Sequence, residues 1–254
     1  MMLTMLKNKQ PKAAKKLGPS WKLIEPHLAA GRVVVGIDEV GRGSWAGPVV
    51  AAAVVLAPRR RFIGLNDSKL LTAAVREALD KKIRAAAVAV GVGWATPAEV
   101  DEHGLTWAVR QSGLRALADM NLAYDAVILD GNHNYLQAEF AVAADGRVSE
   151  VYVKADQKIV PVAAASVVAK VARDAHMVEL SARYPEFDFA GNKGYACPVH
   201  GRALAEHGPI DGLHRVSWRP FAKLNADGFA NFGEFADFSE FDEDDFEDDG
   251  ALND

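Results

Sequence analysis

Four carboxylates stand at, or shortly after, the end of an apolar run that is typical of a buried strand. The acids are Asp38, Glu39, Asp130 and Asp156. The predicted strands before them are residues 33–37, 126–129 and 150–153. Because strands of one sheet end side by side, acids from several strands can converge on one point.

Converging carboxylates repel one another unless a cation neutralises them. All-oxygen ligands suit hard ions, which favours Mg²⁺ or Mn²⁺ over Zn²⁺. The seven histidines show no HExxH spacing and the single Cys197 has no CxxC partner, which argues against a zinc site. Two hard ions a few ångströms apart can activate water and stabilise the leaving oxygen of a phosphodiester. The acids therefore support the hypothesis of a metal-dependent nuclease.

The pairing of Asp38 with Glu39 raises a geometric difficulty. Neighbouring residues of an ideal strand point to opposite faces of the sheet. The two side chains can share a metal only if the strand bends or ends between them. Gly36 and Gly41 would permit such a distortion.

The elements that position these acids form an alternating pattern. Beyond the three runs above, strands are predicted at residues 49–56 and 88–95, the first two strands forming a hairpin-like pair. Helices are predicted at residues 21–30, 72–86, from 96 onward, 105–120 and 162–184. Thr72 is the expected cap of one helix, and Thr96, Pro97 and Glu99 open another as a capping box. Strands come first and helices alternate later, so we expect an α/β fold with a mixed sheet rather than a doubly wound one.

Composition limits the class of protein. The chain has 254 residues and is 50% hydrophobic, enough for one sizeable core. It has no apolar run of about 18 residues and no hydrophobic leader, so no membrane association is expected. A single cysteine excludes an internal disulfide and fits a reducing compartment, so we expect a cytoplasmic protein.

Charge is segregated along the chain. Residues 227–254 contain twelve acids and no Lys or Arg, which leaves 29 basic and 22 acidic side chains in residues 1–226. A basic body favours an anionic partner such as nucleic acid. We expect three segments: a basic arm with a short helix at 1–30, a catalytic domain at 31–224 and an acidic, Phe-rich, disordered tail at 225–254.

The ordered series of motifs resembles that of type 2 ribonucleases H (ribonuclease HII), over roughly residues 32–223. The matching residues are Asp38-Glu39-Val40-Gly41-Arg42-Gly43, Ala46-Gly47-Pro48, Asn66-Asp67-Ser68-Lys69, Leu129-Asp130-Gly131-Asn132, Lys154-Ala155-Asp156, residues 164–174, Lys193-Gly194-Tyr195 and His214-Arg215. A lone GxG would be weak evidence, whereas this ordered series is highly specific.

The resemblance implies a ribonuclease H-like fold, in which helices flank a mixed central sheet and a smaller helical portion follows. It implies cleavage of RNA in RNA–DNA hybrids, and of single ribonucleotides in duplex DNA, leaving a 3′-hydroxyl and a 5′-phosphate. By motif position, Asp38, Glu39, Asp130 and Asp156 look like the metal ligands, with Asp38 shared by both ions. A monomer is the simplest expectation.

The other matched residues look like substrate contacts. Gly41, Arg42 and Gly43 would bring main-chain groups against the ribose, where the 2′-hydroxyl distinguishes RNA from DNA. Tyr195 would stack on the following deoxyribose. The remaining candidates for contact with nucleic acid are Lys69, Ser166, Lys170, His214 and Arg215. His214 and Arg215 have an alternative role as anchors of the C-terminal segment, and Asp174 is expected to pair with a neighbouring Lys or Arg.

The sequence departs from the family pattern without losing an acid. Val40 stands where alanine is usual, and Ser44-Trp45 replaces the commoner Pro-Leu. Two other functions stay open: a DNA nuclease of the same superfamily and a non-catalytic nucleic-acid-binding module. The Gly41–Gly43 turn and Tyr195 argue against the first, and the four acids argue against the second.

The tail has no place in the family pattern. Five Phe residues recur at every third position among its acids: Phe229, Phe232, Phe235, Phe238 and Phe241. One interpretation is a solubilising segment. The other is a nucleic-acid mimic that docks on the basic body of its own chain, or on a partner, through charge and the Phe side chains.

Overall fold

A five-stranded mixed sheet forms the centre of the computed structural model, which describes residues 18–143 and 145–217. The strands are β1 (Val34–Val40), β2 (Val49–Leu56), β3 (Ala87–Ala95), β4 (Ala126–Asp130) and β5 (Val148–Tyr152). Their order across the sheet is β3-β2-β1-β4-β5. The first three strands are antiparallel, and β1, β4 and β5 are parallel. The predicted mixed sheet and its initial hairpin are confirmed.

Helices connect and cover these strands. They are α1 (Glu25–Ala29), α2 (Ala73–Ala86), α3 (Pro97–His103), α4 (Leu105–Met120), α5 (Gln137–Ala143), α6 (Val160–Arg183), α7 (Phe189–Asn192) and α8 (Pro198–His207). The predicted helix starts are confirmed where caps marked them. Thr72 accepts a hydrogen bond from the Val75 N–H, and Thr96 and Glu99 form the capping box, with Pro97 as first helical residue.

Several predicted boundaries were wrong. The fifth strand begins at Val148 and ends at Tyr152, two residues earlier than its predicted start, since it pairs in register with β4 from Ala126 onward. The first predicted helix is shorter, a 3₁₀ turn at Lys22–Ile24 followed by α1. Helix α5 was not predicted at all.

The two faces of the sheet carry different helices. On one face, α6 and α2 bury Ala52, Val54 and Leu56 of β2. On the other, α4 buries Ala51, Ala53 and Val55 of the same strand. Glycine permits the close approach on this second face, because a Cβ on Gly93 would lie 2.0 Å from the Ser112 carbonyl oxygen.

The C-terminal helices complete a separate cluster. Phe187, Phe189 and Leu204 pack with Trp45 and Met177, which come from the loop after β1 and from α6. The expected smaller helical portion is therefore joined to the loop that follows Asp38 and Glu39.

Residues 1–17 of the predicted basic segment and the whole predicted acidic tail lie outside the described residues. Within the described part of the chain, no helix is long and apolar enough to cross a membrane.

Candidate active site

Three of the four predicted acids meet at one end of the sheet. Asp38, Asp130 and Asp156 each place a carboxylate oxygen within 4.8 Å of the other two. Asp38 lies near the end of β1, Asp130 ends β4, and Asp156 lies in a 3₁₀ turn, Ala155–Gln157, after β5. Because β1, β4 and β5 are parallel, their carboxyl ends share this edge. The prediction of convergence is confirmed for these three residues.

Glu39 differs from the other three. Strand β1 continues without a register shift to Val40, so no bend separates Asp38 from Glu39. Asp38 pairs with Ala52 on the α6 face, and Glu39 pairs with Ala51 on the α4 face. Regular pairing with β2 holds the strand straight, so the distortion that Gly36 and Gly41 would permit is absent.

Glu39 is held by an arginine instead. Its Oε1 accepts a hydrogen bond from Arg42 Nη1 at 3.1 Å, and the Glu39 side chain is only 9% exposed. Its other oxygen, Oε2, is buried and has no hydrogen-bond partner among the described residues. A buried, half-satisfied carboxylate beside Asp38 and Asp130 retains capacity for a further ligand.

The electrostatics of the cluster favour a cation. Burial, followed by the charges of Glu39 and Asp130, raises the pKa of Asp38 well above its usual value. Burial also raises the pKa of Asp130, against the opposing effect of N–H donors such as that of Ala155. Burial, Asp130 and Asp67 raise the pKa of Asp156 to about 6. Carboxylates that repel one another so strongly provide the oxygen donors that a hard divalent cation requires.

A short turn before α2 reaches this cluster from the side. Asp67 accepts hydrogen bonds from the Lys69 N–H at 2.8 Å and from Gln157 Nε2 at 3.1 Å. Ser68 Oγ and Ser166 Oγ lie 2.9 Å apart, and Ser166 also hydrogen-bonds Asp38. Lys69 is exposed beside them. Sequence reasoning identified Lys69 and Ser166 but missed Asp67, although it stands in the same matched motif.

The Gly41–Gly43 turn begins directly after β1. Gly41 has φ +89°, and a Cβ there would lie 2.3 Å from Arg173 Nε. The fold itself therefore requires glycine at position 41, whether or not substrate approaches this residue. Arg42 is exposed and Gly43 partly so, whereas Gly41 is buried, so the turn is open to solvent at its second and third residues.

Two buried arginines anchor the loop that carries this turn. Arg173 donates to the carbonyls of Pro48, Ala46 and Lys193 and to Ser44 Oγ. Arg215 donates to the carbonyls of Gly47 and Arg42. The substituted pair Ser44-Trp45 is thus part of the anchor: Ser44 bonds Arg173, and Trp45 packs in the C-terminal cluster.

His214 and Arg215 are 1% and 0% exposed. His214 Nδ1 accepts from the Ile210 N–H, and its Nε2 lies 3.1 Å from His200 Nε2. Burial, together with His200, lowers the pKa of His214 to about 3, so the ring is neutral. Neither side chain presents a charged surface to phosphate, which corrects their placement among the substrate contacts. Their geometry fits the alternative role as anchors.

Tyr195 lies beside the middle of α6. The Arg173 guanidinium carbon is 5.3 Å and Lys170 Nζ is 5.8 Å from the centre of its ring. Lys170 also pairs with Asp174 at 2.8 Å, and Arg76 contacts the same carboxylate at 3.3 Å. The prediction that Asp174 pairs with a neighbouring cation is confirmed.

Fold and site together are those of a ribonuclease H-like nuclease. A family model described as Ribonuclease HII matches residues 35–221. The ribonuclease HII of Streptomyces avermitilis is 46% identical over 187 residues, which cover 74% of this chain and 77% of that protein. The ribonuclease HII of Shewanella amazonensis is 44% identical over 206 residues, which cover 81% of this chain and 94% of that protein.

Solved structures agree with these relatives. The ribonuclease H2 of Pyrococcus horikoshii superposes with a TM-score of 0.65 at 28% identity, covering 78% of this chain and 98% of that one. The ribonuclease HII of Archaeoglobus fulgidus, in a complex with PCNA, superposes with a TM-score of 0.63 at 28% identity. The match covers 74% of this chain and 95% of that one. The chain belongs to the ribonuclease HII family and is an endoribonuclease that acts on RNA–DNA hybrids.

Proposed function

We propose that this endoribonuclease also incises duplex DNA at single embedded ribonucleotides, leaving a 3′-hydroxyl and a 5′-phosphate. The observation that carries the proposal is the placement of the open Gly41–Gly43 turn directly after Asp38 and Glu39, on the strand that holds the carboxylate cluster. One short segment thus holds both the acids and the main-chain groups that would contact a 2′-hydroxyl.

The carboxylate cluster fits a divalent cation, and we propose Mg²⁺ or Mn²⁺. Asp38, Asp130 and Asp156 would hold it through oxygen atoms, and Glu39 would join them if the end of β1 bent so that its side chain left Arg42. Two such ions would supply activation of water and stabilisation of the leaving oxygen. Ser166 orients Asp38, and the N–H groups near Ala155 orient Asp130.

We propose that Gly41, Arg42 and Gly43 read the ribose, that Tyr195 stacks on the following deoxyribose, and that Lys69 and Lys170 contact phosphate. Ser166 is mostly buried, and its two hydrogen-bonding partners make it a positioning residue for Asp38.

A three-substrate assay tests the proposal. Each of its three reactions contains the protein, Mg²⁺ or Mn²⁺, and one labelled duplex. The duplexes are an RNA–DNA hybrid, DNA with one ribonucleotide, and DNA alone. We expect cleavage of the first two, with 5′-phosphate ends, because only these carry a 2′-hydroxyl for the Gly41–Gly43 turn. Cleavage of the hybrid alone would overturn the proposal, and equal cleavage of the all-DNA duplex would show that the turn does not select for a 2′-hydroxyl.

We further propose that the acidic tail competes with substrate for the basic body of its own chain. The opposite charges of residues 227–254 and residues 1–226 support this. The proposed setting is a cytoplasmic monomer in ribonucleotide excision repair.

Deleting residues 227–254 should lower the Michaelis constant several-fold at low salt and leave kcat unchanged, since a competing polyanion is removed. The difference should vanish at high salt. A matched variant, with the acids of residues 242–249 changed to Asn and Gln, keeps the length and the Phe residues. If the deletion and the neutralised tail both show the parent Michaelis constant at low salt, competition by charge is excluded.

A further inference from the structure

A basic groove lies between the loop after β2 and the C-terminal end of α2. Its volume is about 400 Å³, and the residues that line it are Arg60, Arg61, Phe62, Ile63, Lys82, Ala85 and Ala86. The loop is held in place, because Trp21 Nε1 donates a hydrogen bond to the Arg60 carbonyl at 3.0 Å and Phe62 packs on the core beneath. The groove is therefore built into the fold.

The basic groove presents apolar surface and positive charge together. Ile63 is 96% exposed, more than any other large hydrophobic side chain in the described part of the chain. None of the three cations that line the groove forms an ion pair with another described residue, whereas Arg59 and Arg84 beside them are paired with acids. Exposed apolar surface with a rim of unpaired cations is typical of an interaction site.

The acidic tail of the same chain, residues 227–254, supplies both complementary groups. Five Phe residues recur at every third position from Phe229 to Phe241, and acids stand between them and after them. Duplex nucleic acid would neutralise the three cations through its phosphates, but it would leave Ile63 without an apolar partner. A segment that combines Phe with acids matches the charge and the apolar surface of the groove at once.

The chain is long enough for its tail to reach the basic groove. Ser217, the last described residue, is held by Asp101 of α3, beyond the C-terminal end of β3. The groove borders the N-terminal end of the same strand, whose nine residues span about 30 Å. Residues 218–235 add 18 residues, an extended length of about 60 Å. Phe235 can therefore reach the groove of its own molecule.

We propose that the basic groove is the docking site of the acidic tail of its own chain. A Phe side chain of the tail packs on Ile63 and Phe62, and the acids beside it pair with the three cations. The groove lies where β2 ends and β3 begins, at the opposite end of the sheet from the carboxylate cluster. The docking therefore rests on the charge and Phe pattern of the tail and does not depend on the proposed competition with substrate.

Zero-length coupling of lysine amines to carboxylates tests the docking in the intact protein. Full-length chain is treated at low salt with a reagent that condenses an amine and a carboxylate in direct contact, and linked peptides are quantified by mass spectrometry. We expect Glu234, Asp237 or Glu240 on Lys82 at several times their yield on Lys154, which is exposed after β5. A mixture of isotope-labelled and unlabelled chains identifies links within one molecule.

The variant Ile63→Ser removes the apolar partner and leaves every charge in place. Burial of one large aliphatic side chain changes an equilibrium constant by about tenfold or more, so the yield on Lys82 should fall by at least about fivefold. Val178→Ser is the matched control, since this valine of α6 is 49% exposed and lies outside the groove; its yield should equal the parent's. Equal Tm values for all three proteins would show that the fold is intact.

Three outcomes would overturn the docking. Tail acids that couple evenly to exposed lysines, without response to Ile63→Ser, would show diffuse charge attraction alone. Links that join labelled to unlabelled chains would assign the groove to a second copy. A Lys82 that does not couple to the tail, but is shielded from acetylation by added duplex DNA, would assign it to nucleic acid. The Michaelis constant of the tail deletion is a separate measurement, so the proposed competition stands or fails independently.

Discussion

Replacing Asp38 with asparagine should lower kcat by about 10³-fold or more. Asp38 is the central member of the carboxylate cluster, and its pKa responds to Glu39, Asp130 and Asp156 together. Metal-assisted charge stabilisation is worth several kcal/mol, and each 1.4 kcal/mol corresponds to a tenfold change in rate. The measurement is single-turnover cleavage of an RNA–DNA hybrid with excess enzyme, over a range of Mg²⁺ and Mn²⁺ concentrations.

The same substitution should stabilise the metal-free protein near neutral pH. Asparagine preserves the shape of the side chain and removes a buried charge that three neighbouring carboxylates oppose. Asp80→Asn is the matched control, since this mostly buried aspartate pairs with Arg84 on α2, away from the cluster. Near-normal metal-dependent cleavage by Asp38→Asn, with Asp80→Asn equally active, would remove Asp38 from the active site.

The metal-free protein should lose unfolding free energy as the pH rises through about 6, the pKa of Asp156. Asp156 has a pKa of about 6 in the folded protein against an ordinary value of 3.8. A carboxyl whose folded pKa is raised binds its proton more tightly when folded, so it stabilises the fold below pH 4. That contribution is lost as the pH rises through about 6. With allowance for partial exposure, the loss is about 2 kcal/mol of unfolding free energy.

Urea unfolding in chelator at several pH values between 4 and 7.5 measures this effect. Asp156→Asn should lose less stability than the parent over that range, by about the same 2 kcal/mol. Saturating Mg²⁺ or Mn²⁺ should reverse the trend in the parent, because the metal binds only deprotonated carboxylates. Parallel pH profiles for parent and variant in chelator would contradict the raised pKa of Asp156.

The sheet and the three-carboxylate cluster could be predicted because their determinants are local. Apolar β-branched runs mark β1, β2 and β4, and the acids at or near the ends of β1, β4 and β5 follow the chain order of the family motifs. The caps at Thr72 and Thr96 need only residues three positions apart. Helix α5 was missed because its seven residues carry no cap signal that the sequence reasoning detected.

The remainder of the site depends on contacts between distant segments. Whether Glu39 joins Asp38 is decided by the register with β2, which no property of the Asp-Glu pair encodes. The contact of Asp67 with Gln157 spans 90 residues, and that of Ser68 with Ser166 spans 98.

The anchoring of the loop after β1 has a consequence for biosynthesis. Arg173 bonds Pro48 across 125 residues, and Arg215 bonds Arg42 across 173. Chains emerge from the ribosome N-terminus first, so the Gly41–Gly43 turn leaves the exit tunnel long before either arginine exists. Its final set of hydrogen bonds cannot close until Arg215 has emerged. A nascent chain that already holds β1 and β4 therefore still lacks the finished loop for substrate selection, and the enzyme matures only when its domain is nearly complete.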